Sequence, residues 1–466
     1  MEQDGGINHM KRKLIDELAA WRTAKHRKPL FLFGARGCGK TFLALEFARS
    51  FYEGALYLNF EQHSEKRNRF LHFFEESFHW GLSGIAVDSN SSDLNAADLN
   101  SGFTAFLSAV FEIPREYLPN FLVILDEVAA ADGLLERFSS VWKEELPFSV
   151  MLLSSRALPK EIQTPDYELH RLFPLQFDEF LCAVGSEWYA EVIQGHYQTK
   201  HKVPGIVHNE LLEHFEDYLL TGGMPAAVNE YLASKSSDNV FEIHQSIFGK
   251  ILLDISRYYE EGLALRMRQV LSVVPEQLAK PNPKFQYRML RKGATSSMYE
   301  PAINRLTADS VLLSCHSLSD KASFRLFPAD VGIYAGMECC VLGFGNTREA
   351  SADTGQSVQY NVRNSIYFNS SARKAALECY VIQALAARGY QPFFWTSGTH
   401  AKIDFVIKKE ESDIPVEIKT EERSRSKSLG IYRQENEIAY SVKISSKNFD
   451  FTGFSKQIPY YAVFCL

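Results

Sequence analysis

The residues with the clearest chemistry form one short run, Gly34-Ala35-Arg36-Gly37-Cys38-Gly39-Lys40-Thr41, a G-x-x-x-x-G-K-T spacing directly after the apolar stretch Phe31-Leu32-Phe33. Such a loop cradles phosphates: its glycines let the backbone turn tightly, so that successive N–H groups point inward at an anion with no Cβ in the way. Lys40 then reaches the β- and γ-phosphates, and the Thr41 hydroxyl serves as a ligand for Mg²⁺. The following Phe42 to Ala48 reads as a helix whose positive N-terminal end faces the same anion. All eight loop residues are therefore expected to line a nucleoside triphosphate.

A second run, Asn120-Phe121-Leu122-Val123-Ile124-Leu125-Asp126-Glu127, has the composition of a strand buried in a parallel sheet and ends in two acids. Asp126 is expected to hold Mg²⁺ through water. Glu127 points the other way and is expected to orient and polarise the attacking water. An acid directly after the Mg²⁺ aspartate is similar to the pattern of the AAA and RecA-like ATPases, not to that of Ras-like GTPases, which makes ATP the expected nucleotide. A third apolar strand, Ser149 to Leu153, ends at Ser154-Ser155-Arg156. Either serine fits a γ-phosphate sensor, and Ser155 is the candidate. The arginine that completes hydrolysis is open among Arg36, Arg137, Arg156, Arg171 and a residue of a neighbouring subunit.

The elements that must position these residues follow from the pattern around them. Lys11 to Trp21 reads as an amphipathic helix and Ala55 to Glu61 as a second strand, giving the strand-helix-strand alternation of a parallel sheet with right-handed crossovers. Asp88 to Ser101, rich in Asp, Asn and Ser, reads as a surface loop. The nucleotide-binding core is expected to close near Leu169 to Leu175. A length of 466 residues, with 45% hydrophobic and 23% charged side chains, leaves room for two to four soluble domains. The net charge of −7 excludes a uniformly basic nucleic-acid coat but not a local basic cleft. Cys38, Cys182, Cys315, Cys339, Cys340, Cys379 and Cys465 contain no C-x-x-C pair, which favours a reducing compartment and no structural zinc. With no apolar signal core and apolar runs too short for a membrane span, a cytoplasmic protein is the expectation.

Beyond the core the chain resembles the prokaryotic ATPases that pair an AAA-type P-loop domain with a C-terminal DUF4143 region. The passages that carry the resemblance are Arg171-Leu172-Phe173-Pro174-Leu175-Gln176-Phe177-Asp178-Glu179-Phe180, Tyr218 to Pro225 (Y-L-L-T-G-G-M-P), Leu253-Asp254-Ile255 and Phe324 to Gly332 (F-R-L-F-P-A-D-V-G). Ile403-Asp404-Phe405 and Ile414 to Lys419 (I-P-V-E-I-K) complete the set, so the resemblance spans almost the whole chain. It implies an α/β multidomain protein with a P-loop ATPase domain at 1–175, a helical segment at 176–250 and a winged-helix-like domain at 251–343. A linker and a restriction-endonuclease-like domain of PD-(D/E)xK type fill 344–466. The AAA likeness favours ring oligomers in general.

In the middle segment, Tyr287 to Lys292 and Met298 to Leu306 read as helices and Val311 to Cys315 as a strand, the order of a winged helix. Arg288, Arg291, Lys292 and Arg305 face phosphates in one reading and form a solvated polar face in the other. Gly343 to Asn364 reads as a linker. Farther on, Lys402 to Lys408 and Ile414 to Thr420 read as a hairpin whose alternation sets Glu417 and Lys419 on the face opposite Val416 and Ile418. Asp404 then meets Glu417 and Lys419 across the strands. Two carboxylates clamping Mg²⁺ beside a lysine that stabilises charge is the constellation of a metal-dependent nuclease. Glu378 matches the remaining acidic position that the family resemblance implies. The alternative is a set of solvent-facing charges on an amphipathic hairpin. Arg423, Arg425 and Lys427 contact a nucleic-acid backbone or form a charged loop. Two outputs remain open from sequence: ATP hydrolysis coupled to engagement of DNA by the nuclease-like domain, or a nucleotide-dependent switch for a protein partner in which that domain is a non-catalytic binding module.

Overall fold

Five short apolar runs build the first sheet: β1 (Leu30–Phe33), β2 (Gly54–Asn59), β3 (Phe121–Asp126), β4 (Ser149–Ser154) and β5 (Glu168–Arg171). The computed structural model describes residues 10–83, 96–131, 133–135, 138, 146–157, 167–235, 239–345, 370–397, 401–409, 412–420 and 427–466. They divide into two units, Arg12–Leu172 and Phe173–Leu466 together with Met1–Lys11.

In the first unit the strands are all parallel, in the order β2-β3-β4-β1-β5. Their side chains alternate between two cores, as a sheet covered on both faces requires. Leu30, Leu32, Leu122, Ile124, Met151 and Leu153 face one cluster, which they share with Leu18 and Trp21 of α1 (Leu14–Thr23) and Leu43 and Phe47 of α2 (Lys40–Phe51). Phe31, Val123, Leu125, Val150 and Leu152 face the other. Parallel strands end on one common edge, so the loop after β1, the acids after β3 and the serines after β4 emerge side by side.

Two further helices, α3 (Ser64–Ser83) and α4 (Ala96–Phe111), lie between β2 and β3. The start of α4 corrects the loop expected from Asp88 to Ser101: residues 96–101 are helical, because Phe103, Leu107 and Val110 recur at helical spacing and bury against the core. Residues 88–95 lie outside the described set.

The second unit begins with helices α5 (Phe177–Ala183), α6 (Glu187–Thr199), α7 (Gly205–Thr221), α8 (Pro225–Ser234), α9 (Val240–Tyr258), α10 (Glu261–Leu278) and α11 (Ser296–Ala308). There follow β6 (Leu312–Ser317), β7 (Phe324–Pro328), α12 (Val331–Gly345) and α13 (Ser370–Ala387). The chain closes with β8 (Phe393–Ser397), β9 (Ala401–Lys409), β10 (Ser412–Ile418), α14 (Lys427–Glu435), β11 (Ser441–Ser445), β12 (Asp450–Thr452) and β13 (Ser455–Pro459). Eight of these strands form one sheet in the order β12-β13-β11-β10-β9-β8-β6-β7.

The sheet takes strands from both sides of residue 343, where a domain boundary is expected from sequence. The hairpin β6–β7 is not a free wing, since His316 and Ser317 pair in parallel with Phe393 and Phe394 of β8. One hydrophobic core includes residues from Leu175 to Leu466, so the described parts of 251–343 and 344–466 belong to the same unit, while all but the first three residues of the linker expected at Gly343 to Asn364 lie outside the described residues. Tyr287 to Lys292 is also not a helix; only Tyr287–Met289 form a single 3-10 turn.

Three of the sequence words, around Leu175, Gly223 and Asp330, meet at one junction. Leu175 N–H donates to the Gly223 carbonyl at 2.7 Å, and a Cβ on Gly223 would lie 2.0 Å from the Leu175 oxygen, so only glycine admits this approach. The buried Asp330 carboxylate accepts from Gly223 N–H at 2.7 Å, Gly332 N–H at 2.9 Å and Ile333 N–H at 3.3 Å. Glu179 caps the start of α5 by accepting from Gln176 N–H at 3.0 Å. These words therefore fix backbone geometry.

Candidate functional site

The phosphate loop takes its shape from close backbone approaches. A Cβ on Gly34 would lie 2.2 Å from the Leu172 carbonyl oxygen, and Gly39 caps α2 in a left-handed conformation. Lys40 is buried, its ammonium donating to the carbonyls of Gly34 at 3.0 Å and Ala35 at 3.2 Å. Arg12 donates to the Cys38 carbonyl at 2.9 Å from beneath. Thr41, in the first turn of α2, donates to Asp126 Oδ2 at 2.8 Å. Residues 85 positions apart are thus brought to the separation at which a hydroxyl and a carboxylate share a hydrated cation.

Asp126 is ringed by neutral donors. Tyr57 O–H donates to Oδ2 at 2.8 Å, Asn59 Nδ2 at 3.4 Å, and Glu127 N–H to Oδ1 at 2.9 Å. Burial, then the adjacent Asp126 charge, raise the Tyr57 pKa well above the usual tyrosine value, so this hydroxyl stays a donor. Glu127 sits in a left-handed conformation, φ 51°, which costs a non-glycine residue about 1 kcal/mol. Its carboxylate is held there by Ser155, whose hydroxyl donates at 2.7 Å and whose N–H donates at 3.0 Å. The structure thus brings Lys40, Thr41, Asp126, Glu127 and Ser155 to one strand edge, with Ser155 bound to the glutamate.

In the second unit, Asp404 on β9, Glu417 on β10 and Glu378 on α13 are all buried, which excludes the solvent-facing alternative. Asp404 Oδ1 accepts from Lys374 at 3.0 Å and Oδ2 from Ile418 N–H at 2.9 Å. The same Lys374 ammonium lies 3.5 Å from Glu378 Oε1, one helical turn along α13. Glu417 instead pairs with Lys419 at 3.4 Å. The four expected residues therefore split into Asp404 and Glu378 around Lys374, and Glu417 with Lys419. No group of three or more His, Cys, Asp or Glu side chains arranged to hold a metal ion occurs among the described residues.

Charges here are coupled. Burial raises the Glu378 pKa. Burial also opposes the Lys374 charge, but Asp404 and Glu378 outweigh it and hold the ammonium above its usual pKa. Burial acts against the Asp404 charge in turn, and Lys374 and the Ile418 N–H more than offset it, leaving a carboxylate below its usual range. A cavity of about 180 Å³ opens beside them, bounded by the Ala279–Pro283 turn, Arg325, Ser370, Ser371, Lys402 and Thr420.

Residues 26–181 match the family model of an AAA domain, 212–347 a domain of unknown function (DUF8612), and 373–463 a domain of unknown function (DUF4143). The chain thus carries an AAA domain over residues 26–181 and a DUF4143 region over residues 373–463. Among solved structures the chain is similar to a Walker-type ATPase of Pyrococcus abyssi, at 12% identity over 70% of this chain and 95% of that one, with a TM-score of 0.42. The Orc1 protein of Aeropyrum pernix, solved in complex with DNA, aligns at 12% identity over 76% and 91% of the two chains, with a TM-score of 0.25. Protein VC1899 from Vibrio cholerae aligns at 8% identity over 94% and 95%, with a TM-score of 0.15. Superpositions this loose carry no weight beside the family matches. No curated protein sequence matches the chain.

The arginines of the ATPase unit are engaged locally. Arg36 forms a two-pronged pair with Glu61 at 3.1 and 2.8 Å, Arg156 donates to the Ala129 carbonyl, and Arg171 lies 6.0 Å over the Phe33 ring. Arg137, Arg423 and Arg425 lie outside the described residues. In the other unit Arg305 is committed to Asp309 at 3.2 Å and to Tyr259 at 2.7 Å, not to an open face. Sequence reasoning missed Tyr57 and Asn59, whose i, i+2 spacing on β2 sets both on one face beside Asp126. It also missed Lys374, legible only as the i, i+4 partner of Glu378, and the buried Arg325.

Proposed function

We propose that the Arg12–Leu172 unit binds ATP with Mg²⁺ and hydrolyses it, and that the DUF4143 region serves as a nucleic-acid binding module rather than a metal-dependent nuclease. The observation that carries the first half is the contact of Thr41 with Asp126, with Glu127 fixed on the adjacent side by Ser155. Hard oxygen donors with no paired cation side chain among the described residues fit Mg²⁺, which Thr41 and Asp126 would hold. When bound, that ion neutralises charge on the β- and γ-phosphate oxygens.

The chain's own groups do the rest. The loop N–H groups and the first turn of α2 cradle the phosphates, and Lys40 exchanges the carbonyls of Gly34 and Ala35 for phosphate oxygens. Glu127 accepts a proton from the attacking water as its oxygen bonds to the γ-phosphorus and the bond to the β-phosphate bridging oxygen breaks. Inorganic phosphate and ADP leave. Ser155 keeps the carboxylate aimed, which makes it a positioning residue for Glu127 instead of the γ-phosphate sensor read from sequence.

For the second half, Lys374 supplies a cation where a nuclease would place its metal, between Asp404 and Glu378. Basic side chains around the cavity outnumber the acids, which supports binding of a polyanion. The test is ATP turnover by the intact chain and its Glu127→Gln variant with Mg²⁺, alongside single-stranded DNA incubated with Mg²⁺ or Mn²⁺. Mg²⁺-dependent turnover only in the unsubstituted chain, with DNA bound and uncut, is expected. Cleavage abolished by Asp404→Ala would overturn the binding-module half.

A further inference from the structure

The cavity at the start of α13 has the furnishings of an anion site. Four cationic side chains border it, Lys280, Arg325, Lys374 and Lys402, against two carboxylates, Glu378 and Asp404. Arg325 is an independent observation at this cavity. It is 2% exposed, its guanidinium lies 4.2 Å over the Phe394 ring, and one Nη donates to the Asp404 carbonyl at 3.3 Å, yet its Nε has no hydrogen-bond partner. A buried guanidinium N–H without an acceptor costs folding energy unless a ligand or water supplies one.

The opening of α13, an 18-residue helix, adds to this. Ser370 and Ser371 line the cavity, so the first N–H groups and the positive end of the helix border the same space as Arg325 and Lys374. Lys402 reaches the same space from β9, its ammonium donating to the Pro281 carbonyl at 3.3 Å.

We propose that this cavity binds a phosphate monoester through Arg325, Lys402 and the Ser370–Ser371 turn. Lys374 stays with Asp404 and Glu378 and takes the place of a metal ion, so the bound phosphate is recognised and not cleaved. Lys280 is already paired with Glu276 at 3.3 Å, so the positive excess at the cavity comes from Arg325, Lys374 and Lys402 against Glu378 and Asp404. The phosphate is the 5′ end of a nucleic-acid strand or that of a small phosphorylated molecule. The proposal rests on the DUF4143 region being a binding module and names the group it reads.

The test uses the full chain carrying Lys40→Ala, which disables the ATP loop, in EDTA. Binding of 3′-fluorescein single-stranded DNA with a 5′-phosphate is compared with the same strand bearing a 5′-hydroxyl, and inorganic phosphate is titrated separately by ³¹P line broadening. The phosphorylated strand should bind about tenfold tighter, and Lys402→Ala or Ser371→Ala should erase most of that difference, whereas Lys408→Ala should not. Equal binding of the two strands, with phosphate broadening lost in Lys402→Ala, supports the small-molecule source. Phosphate broadening with neither strand bound supports the site but overturns the nucleic-acid module. Equal binding of both strands with no Lys402-dependent phosphate signal overturns the site and leaves the module standing. Circular dichroism melts of Lys402→Ala and Ser371→Ala must match the parent, and each variant serves as the other's check on folding.

Discussion

The two units each bury carboxylates, at the end of β3 in one and on β9 and α13 in the other, and they treat them in opposite ways. Asp126 is surrounded by a threonine hydroxyl, a tyrosine hydroxyl, an asparagine amide and a backbone N–H, all neutral, so its charge remains for a cation that arrives with the nucleotide. Asp404 and Glu378 share the ammonium of Lys374 at 3.0 and 3.5 Å, so their charge is already answered within the protein. The same residue types serve cation recruitment in one place and a self-neutralised, cation-rich pocket in the other. Which it is depends on the donor in contact, not on the acids themselves.

The largest effects should come from the ATP edge. Lys40→Ala should abolish nucleotide binding in a fluorescent-nucleotide titration, because no other side chain replaces its reach to the phosphates. Glu127→Gln should keep binding and lose about 10²- to 10⁴-fold in turnover, the range for removing a general base. Ser155→Ala should lower turnover by roughly tenfold with nucleotide affinity unchanged, since it removes two of the contacts that aim Glu127. An equal loss of affinity would instead return Ser155 to the sensor role.

The next effect separates the two carboxylate sites directly. Mn²⁺ binding with nucleotide present, read by electron paramagnetic resonance, should disappear in Asp126→Asn and persist in Asp404→Asn. Lys374→Ala should leave two buried acids uncompensated and destabilise the second unit by about 3 kcal/mol in urea unfolding. Millimolar Mn²⁺ should restore part of that loss by entering the vacated position. Rescue that survives the added Asp404→Asn change would sink the idea that Lys374 stands in for a metal.

Another buried carboxylate, Asp330, is held by backbone N–H groups and gives the smallest effect. Burial raises the Asp330 pKa to about 6 although three backbone N–H groups favour its charge. The folded state therefore binds a proton that the unfolded chain does not, and this group's contribution falls as pH rises from about 4 to 6. Nearby His244, bonded to the Gly332 carbonyl at 2.9 Å, has its pKa lowered to about 4 by burial. Its contribution is fully present above the unfolded value and is lost as pH falls from 6.5 towards 4. The opposite slopes should leave stability of the second unit nearly flat between pH 4 and 6. His244→Gln should unmask the Asp330 slope, so that acidification stabilises the variant; a flat profile in both proteins would contradict this pairing.

The ATP edge was legible in the sequence because each fixed residue there answers a local demand. Glycines at Gly34 and Gly39 meet backbone requirements, and the acids sit at the end of an apolar strand. Tyr57 and Asn59 were not legible, since an aromatic and an amide on a half-buried strand have no fixed chemistry until register sets them beside Asp126. The DUF4143 acids were found, but as a cluster with Lys419, because strand alternation is visible in sequence and a helix docking Lys374 over β9 is not. The same limit concealed the sheet that joins β6 and β7 to β8: parallel pairing between strands about 77 residues apart leaves no local mark. The words around Gly223 and Asp330 were recognised by resemblance alone, and their physical reason became visible only as a backbone junction.

The most direct measurement is steady-state ATP hydrolysis by the full chain with and without Mg²⁺, in parallel with Glu127→Gln. Turnover that requires Mg²⁺ and disappears in Glu127→Gln, while that variant still retains nucleotide, is the predicted result. Wild-type turnover in Glu127→Gln, or hydrolysis indifferent to Mg²⁺, would contradict the assignment of Asp126, Glu127 and Thr41 as the working edge of the proposed ATP site.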